Sequence, residues 1–225
     1  DPEDLAHFSE LMDEFVTYLR QLFERRREDP GDDLVSALLQ AEDGGDTLSE
    51  QELFSMVSLL IIAGHETTVS LIGNVVLALL QHPDQRTALA ADPATIPRAI
   101  EELLRYDGPV ERTLTRWAAE DVEVGGQTIG RGDAVIVILG SADRDPARFT
   151  DPDVLDLARE DVKHVAFGRG SHYCLGAPLA RLEAEIALTT LLRRLPRMRL
   201  AVSEDELSWR PVPLFRSLTA LPVAW

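Results

Sequence analysis

Apolar residues recur every three or four positions through the first half of the chain, which is the spacing of one face of an α-helix. The first such face predicts a helix that starts at the capping sequence Asp1-Pro2-Glu3-Asp4 and ends at Pro30-Gly31. A short helix is expected over residues 34–39, followed by a turn at Gly44-Gly45. The apolar positions of the first helix are Leu5, Phe8, Met12, Phe15, Leu19 and Leu22.

The longest apolar pattern runs over residues 53–80 and stops at His82-Pro83. Because this pattern is apolar nearly all round, we expect the helix to be buried. Two shorter helices are predicted over residues 84–90 and 97–106. Two pairs of residues are candidates for a capping box at the start of the long helix: Thr47 with Glu50, and Ser49 with Glu52.

Beyond Pro109 the pattern changes to short β-like runs separated by glycine turns. Strands are predicted over residues 122–124, 127–129 and 134–139, followed by an irregular stretch over 141–163. A further helix is expected from Ala177-Pro178 to Arg194, and the proline-rich tail predicts loops and short strands. The predicted fold class is mainly α with a small β part.

Composition and charge narrow the class of protein. The 225 residues are 45% hydrophobic and 27% charged, as in a globular protein of one or two domains. A net charge of −17 disfavours nucleic acid and anionic membranes as partners, and the single cysteine excludes an internal disulfide or a multi-thiolate metal site. Unbroken apolar runs such as Leu59–Gly64 are far shorter than the roughly 20 residues that a membrane span needs, and Asp1-Pro2 does not open a signal peptide. We therefore expect a cytoplasmic protein without a membrane span.

The centre of the long helix, Ala63-Gly64-His65-Glu66-Thr67, combines two unfavourable features. Glycine weakens a helix, and a carboxylate is costly among apolar residues unless it is solvated or paired. A glycine also lets a flat or bulky group approach the backbone, and Thr67 could bond back to the carbonyl of Ala63. The alternative is a simple helix crossing at Gly64 with Glu66 at an exposed edge. A zinc protease motif is excluded because position 69 is valine.

The second candidate is a glycine-rich loop, Phe167-Gly168-Arg169-Gly170-Ser171-His172-Tyr173-Cys174-Leu175-Gly176. Cys174 precedes a predicted helix start, where backbone N–H groups and the helix dipole would stabilise a thiolate ligand. Three other interpretations stay open: an inert cysteine, a nucleophilic pair with His172, and a zinc site that also includes His164. Glu102 and Arg105, three residues apart on one helix face, would by themselves indicate a solvated ion pair.

Taken in this order, the three motifs resemble the C-terminal half of a bacterial cytochrome P450. The segment 63–67 is similar to the oxygen-activating part of the family's central helix, Glu102-x-x-Arg105 matches the ExxR motif, and residues 167–176 match the haem-ligand loop. The resemblance covers the whole chain. It implies a truncated P450 fold in which residues 1–225 are the C-terminal part of one domain. Its four parts are helices (1–110), short strands and meander (111–166), haem-ligand loop and helix (167–194) and C-terminal strands (195–225).

The resemblance implies haem b as the cofactor, with Cys174 as the axial thiolate ligand of the iron. His172 and Arg116 would bind haem propionates, with Arg112 a weaker candidate for the same role. Glu66 and Thr67 would guide protons and water during the activation of O2. Four further residues would lie against the haem: Ala63, Gly64, Phe167 and Gly168. The resemblance also implies a structural triad of Glu102, Arg105 and Arg159 and a substrate pocket lined by Val110, Ile138, Val212 and Leu214.

The implied reaction is monooxygenation of a lipophilic small molecule, such as a macrolide, terpenoid or polyketide of secondary metabolism. Electrons would come from NAD(P)H through a ferredoxin-type partner. That partner could dock on a concentration of arginines: Arg169, Arg181, Arg193, Arg194, Arg197 and Arg199. Family members are about twice this length, so we expect a fragment that is inactive alone. The alternatives are a haem-binding fragment without catalysis, a thiol enzyme, and a helical scaffold without a cofactor.

Overall fold

A computed structural model describes the backbone of residues 2–42 and 48–225, and the side chains of these residues except 2–6 and 42. The predicted cap at Asp1, the turn at Gly44-Gly45 and the capping box at Thr47 lie outside the described residues, as does the side chain of Leu5. The chain forms two compact units that divide between Ala63 and Gly64, and each is described by itself.

Seven α-helices lie in the described part of the chain, close to the positions that the apolar spacing predicts. His82 alone separates α3 from α4, and Pro83 takes the first position of α4, because proline is tolerated there and not inside a helix. The helices are α1 (Pro2–Glu28), α2 (Leu34–Glu42), α3 (Glu50–Gln81), α4 (Pro83–Ala91), α5 (Ile96–Asp107), α6 (Leu139–Ala142) and α7 (Ala177–Arg194).

The first unit has a small apolar core from the ends of its helices. Buried residues of this core are Leu19, Phe23, Leu39, Leu53 and Val57.

Among the described side chains of the predicted apolar face of α1, Leu19 is buried and Phe15 and Leu22 are partly buried. Phe8 and Met12, nearer the start of the helix, are exposed. The spacing therefore identified the helix correctly but not the extent of its buried face.

The start of α3 carries one of the two predicted capping boxes. The Ser49 hydroxyl accepts the Glu52 N–H at 3.3 Å, and the Glu52 carboxylate accepts the Ser49 N–H at 2.8 Å. These two bonds satisfy backbone donors that have no partner within the helix.

The core of the second unit forms where α5 and α7 pack together with the second half of α3. Leu71, Val75 and Leu79 of α3 are buried in it.

The expectation of a wholly buried α3 is wrong, since Leu59, Ile62 and Val69 are each more than half exposed. By length and composition alone, α3 is apolar enough to cross a membrane, which counting unbroken apolar runs overlooked. Burial of its second half is typical of a core helix.

Three antiparallel strand pairs lie in the described part of the chain. The strands are β1 (Arg116–Trp117), β2 (Val122–Val124), β3 (Gln127–Ile129), β4 (Ala134–Val135), β5 (Arg199–Leu200) and β6 (Val223–Ala224), and they pair as β1–β4, β2–β3 and β5–β6. The β2–β3 hairpin turns at Gly125 and Gly126, which both have positive φ.

The strand predicted over residues 134–139 ends early, at Val135. Residues 139–142 form α6 instead, because Gly140 and Ser141 favour strands weakly. Beyond β4 the pairing continues only through single contacts, such as the bridge between Arg112 and Ile138. The strand β1 was not predicted.

Candidate functional site

Glu102 and Arg105 of α5 form a buried ion pair and not the solvated one that their spacing suggests. Glu102 is 0% and Arg105 1% exposed. Arg105 donates from Nε and Nη2 to the two carboxylate oxygens of Glu102, at 2.7 and 2.8 Å. Arg159 donates from Nε to the same carboxylate at 3.1 and 3.2 Å. The structure therefore brings the three residues of the expected triad together, with one carboxylate between two guanidinium groups.

The guanidinium groups of this triad also hold the irregular segment that follows α6. Arg105 Nη1 donates to the carbonyls of Asp143 and Pro152 at 2.9 and 2.7 Å. Arg159 Nη1 donates to the carbonyl of Thr150 at 2.7 Å. These bonds satisfy donors that would be costly to bury unpaired, and they fix the segment against α5.

Asp143 continues this buried polar layer toward the cysteine loop, residues 167–176. Its carboxylate accepts the N–H of Val165 at 2.7 Å. Burial raises the pKa of Asp143, although the N–H of Val165 and the charges of His164 and Arg105 oppose that rise. The loop is therefore anchored just before it begins.

The cysteine loop is shaped by two glycines in the left-handed region. Gly168 and Gly170 have φ of 72° and 77°, which residues with a side chain adopt at a cost. The N–H of Cys174 donates to the carbonyl of Phe167 at 3.0 Å and closes the loop. Cys174 is exposed and lies three residues before α7.

The N–H groups after the cysteine, at Leu175 and Gly176, donate to no carbonyl among the described residues. Unpaired N–H groups at a helix start favour a negative ligand or thiolate nearby. The loop therefore presents a soft donor atom in a setting that suits a metal-bound thiolate.

An ion pair between α5 and α7 frames the loop. Arg181 donates to both carboxylate oxygens of Glu101, at 2.6 and 2.9 Å, and His164 Nε2 lies 3.2 Å from the same carboxylate. Burial alone would raise the pKa of Glu101. The bonds from Arg181 and His164 outweigh burial and lower this pKa to about 2.

Arg181 connects this ion pair to the loop itself. Its guanidinium carbon lies 4.5 Å from the centre of the Phe167 ring, and Nη1 is 3.2 Å from the Tyr173 hydroxyl. Arg181 was expected to belong to a docking surface for an electron donor. Its pairing with Glu101 leaves less of its charge for that role.

The segment 63–67 lies within the unbroken α3. No heavy atom outside the local helix backbone lies within 4 Å of the place that a Cβ would take at Gly64, so a helix crossing at this glycine is excluded among the described residues. The open space suits a flat group against the helix. Glu66 is not a free carboxylate, because it forms an ion pair with Arg210.

The residues expected to bind propionates differ in their surroundings. Arg116, on β1, and His172, in the turn over 170–172, are both exposed. The Nε of Arg112 is buried and has no hydrogen-bond partner among the described residues. Arginine and histidine donors, together with the thiol of Cys174, are a donor set that fits haem, whose two propionates need cations and whose iron takes an axial ligand.

The four expected pocket residues do not share one cavity. Val110 and Ile138 line a cavity of about 390 Å³, and Val212 lines another of about 360 Å³. Leu214 lines neither, and its carbonyl accepts the N–H of Glu111 at 3.3 Å.

Two alternatives for Cys174 find no geometric support. No three potential metal ligands cluster among the described residues, so His164, His172 and Cys174 do not form a zinc site there. His164 bonds instead to Glu101 and to the N–H of Ala166. No hydrogen bond joins His172 to Cys174 within the described chain, as a nucleophilic pair would need.

Known proteins match the chain over nearly all of its length. The profile of the family Cytochrome P450 matches residues 2–96 and 94–196. Cytochrome P450 107B1 of Saccharopolyspora erythraea is 54% identical over 99% of this chain and 54% of its own. Cytochrome P450 monooxygenase PikC of Streptomyces venezuelae is 48% identical over 100% of this chain and 54% of its own. The crystal structure of myxobacterial CYP267B1 in complex with myristic acid has a TM-score of 0.94 and 47% identity, over 99% of this chain and 55% of that one.

Cytochromes P450 are a class of proteins whose haem iron is held by a cysteine thiolate. The chain belongs to the cytochrome P450 family, and it spans about half the length of the curated relatives it matches. The family and the mainly α fold expected from the sequence are confirmed.

Sequence reasoning missed three residues that shape the site: Glu101, His164 in its contact with Glu101, and Arg210. Glu101 stands beside Glu102, and an acidic doublet between the apolar pairs Ala99-Ile100 and Leu103-Leu104 was a usable signal. Nothing in the sequence indicates that Arg210 pairs with a carboxylate 144 residues away.

Proposed function

We propose that this chain carries the haem-binding and oxygen-activating part of a monooxygenase that oxidises lipophilic small molecules. The observation that carries the proposal is the cysteine loop, which presents an exposed Cys174 before α7 in a backbone shaped by Gly168 and Gly170. The exposed thiol is the only one in the sequence.

Haem b, when bound, supplies an iron centre that activates O2, and a thiolate ligand favours cleavage of the O–O bond. Cys174 would hold the iron. Arg116 and His172 would hold the propionates, with Phe167, Gly168, Ala63 and Gly64 against the ring. The exposure of Arg116 and His172 and the open space beside Gly64 support these assignments.

Glu66 and Thr67 would hold and pass on protons for the activation of O2. The ion pair with Arg210 holds the Glu66 carboxylate in place, and a carboxylate can accept a proton and pass it on. The triad of Glu102, Arg105 and Arg159 has a structural role, because its charged groups form hydrogen bonds to one another and to backbone carbonyls.

The substrate class and the electron source extend the same proposal. Apolar Val110, Ile138, Val212 and Leu214 suit a lipophilic substrate of secondary metabolism, and one relative's structure is in complex with myristic acid. Electrons would come from NAD(P)H through a ferredoxin-type donor in the cytoplasm. We further propose that the 225 residues alone bind haem but turn over no substrate, because the expected pocket residues are divided between two cavities.

The test is the absorption spectrum of the haem-supplemented protein after reduction with dithionite and addition of carbon monoxide. A strongly red-shifted Soret band is expected for the unaltered chain, and Cys174→Ser should abolish it. Ser171→Ala, in the same loop but without the thiol, should keep the band. A band that survives in Cys174→Ser, or that is missing from the unaltered chain, contradicts the proposal.

A further inference from the structure

The cavity of about 360 Å³ that Val212 lines is walled by apolar residues but also holds cationic side chains. It lies between the extended segment after α5 and the C-terminal loops. The apolar walls come from Trp209, Pro211, Val212, Pro213 and Phe215. The charged residues that line it are Arg112, Arg210, Arg216 and Glu111.

Two of the three arginines are already neutralised by carboxylates. Arg210 pairs with Glu66, and Arg216 pairs with Asp107. The guanidinium carbon of Arg216 also lies 3.8 Å from the centre of the Trp209 ring. Neither side chain therefore needs a further anion.

Arg112 has no such partner. Among the described residues, no carboxylate oxygen lies within 4.0 Å of its nitrogens, and its Nε is buried without a hydrogen bond. The hydroxyl of Ser217, which lines the same cavity, is buried without a partner as well. Leaving the Nε–H of Arg112 and the hydroxyl of Ser217 unpaired costs free energy. A bound acceptor would satisfy these two donors.

Glu111 does not fill this role. Although Glu111 lines the same cavity, its carboxylate lies farther than 4.0 Å from the nitrogens of Arg112. Its negative charge acts on Asp107, whose pKa burial raises and Glu111 raises further. Arg112 is thus the cation in the cavity without a counter-charge in contact.

We propose that Arg112 and Ser217 form a subsite for the carboxylate of an acidic lipophilic substrate. A guanidinium matches a carboxylate with two parallel hydrogen bonds, a hydroxyl can donate a third, and the apolar walls accept the hydrocarbon part. This inference rests on the proposed function, because it names the substrate class of that monooxygenase. A haem propionate presents the same carboxylate chemistry, and the test separates the two sources.

The experiment compares dodecanoic acid with its methyl ester on the haem-loaded protein, by isothermal titration calorimetry. The acid should bind at least about tenfold more tightly than the ester, the usual strength of a charge-assisted hydrogen bond. Arg112→Gln should remove that preference and Arg112→Lys should keep part of it. Arg131→Gln, which changes the net charge equally on an exposed turn outside the cavity, should leave the preference unchanged.

Two outcomes overturn the inference. One is equal binding of acid and ester by the unaltered protein. The other is an Arg112→Gln variant that keeps the preference but loses haem, measured by the Soret absorbance retained after gel filtration, which would assign Arg112 to a propionate. The Soret band of the unaltered protein separates the two proposals. If the reduced, carbon monoxide-treated unaltered protein shows no red-shifted Soret band but still prefers the acid to the ester, the proposed function fails and the subsite stands.

Discussion

Replacing Glu101 by glutamine removes the charge that joins α5 to α7 beside the cysteine loop. Arg181 and His164 both bond to this carboxylate, and Arg181 also contacts Phe167 and Tyr173 in the loop. The variant keeps the size of the side chain but leaves the guanidinium of Arg181 without its counter-charge. We expect a lower free energy of unfolding for the second unit.

The size of the effect follows from the pKa of Glu101. The Glu101 side chain is 27% exposed, so solvent screens the pair only in part. A pKa lowered from 4.5 to about 2 corresponds to about 3 kcal/mol of stabilisation of the folded state. Because the folded pKa is the lower one, this stabilisation is complete above pH 4.5 and is lost as the pH falls toward 2.

Urea unfolding followed by tryptophan fluorescence measures this effect, since all three tryptophans, Trp117, Trp209 and Trp225, lie in the second unit. Glu101→Gln should be less stable than the unaltered chain by about 3 kcal/mol at pH 7, and the difference should shrink steadily below pH 4.5. Glu120→Gln, an exposed residue with the same change of charge, is the matched control. A difference that does not change between pH 7 and pH 3 would refute the electrostatic reasoning.

Three further predictions use the same urea assay or thermal unfolding. Glu102→Gln removes the buried charge shared by two arginines and should cost about 3–5 kcal/mol; a loss under 1 kcal/mol would mean that the arginines find other acceptors. Gly168→Ala places a side chain at φ 72° and should cost about 1–2 kcal/mol, whereas Gly64→Ala meets open space and should stabilise α3 by up to about 1 kcal/mol. The reverse order of these two glycine variants would contradict the backbone argument. Ser49→Ala breaks the capping box and should cost about 1 kcal/mol by thermal circular dichroism, against an unchanged Ser55→Ala control.

Local signals were enough to find the helices, because each one needs only its own apolar spacing and its own end signals. The predicted start of α7 at Ala177 and its end near Arg194 agree with the structure, since Pro178 and the basic last turn mark both ends. In the cysteine loop, Gly168 and Gly170 have positive φ, a conformation that glycine adopts readily.

Contacts between distant parts of the chain could not be predicted in this way. The pairing of Glu66 with Arg210, and of Glu101 with Arg181, depends on how the chain folds back on itself. Leu59 and Ile62 belong to the apolar pattern of α3 and yet are exposed. Periodicity shows which face of a helix is apolar, but it does not show which residues cover that face. The sequence pattern also could not show that the expected pocket residues lie in two cavities, because this depends on contacts between distant parts of the chain.

The irregular segment after α6 is held mainly by its carbonyl oxygens, which Arg105 and Arg159 bind at Asp143, at Pro152 and at Thr150. Every residue type has a carbonyl, so the side chains at the bound positions 150, 152 and 154 carry little of the information that fixes the path of this segment. That information is concentrated in Glu102 and Arg105 of α5 and in Arg159. In a complete substitution library, positions 150, 152 and 154 should therefore accept many residue types, while the three triad positions should accept almost none. Asp151 should accept fewer types than its neighbours, because its φ of 47° is left-handed.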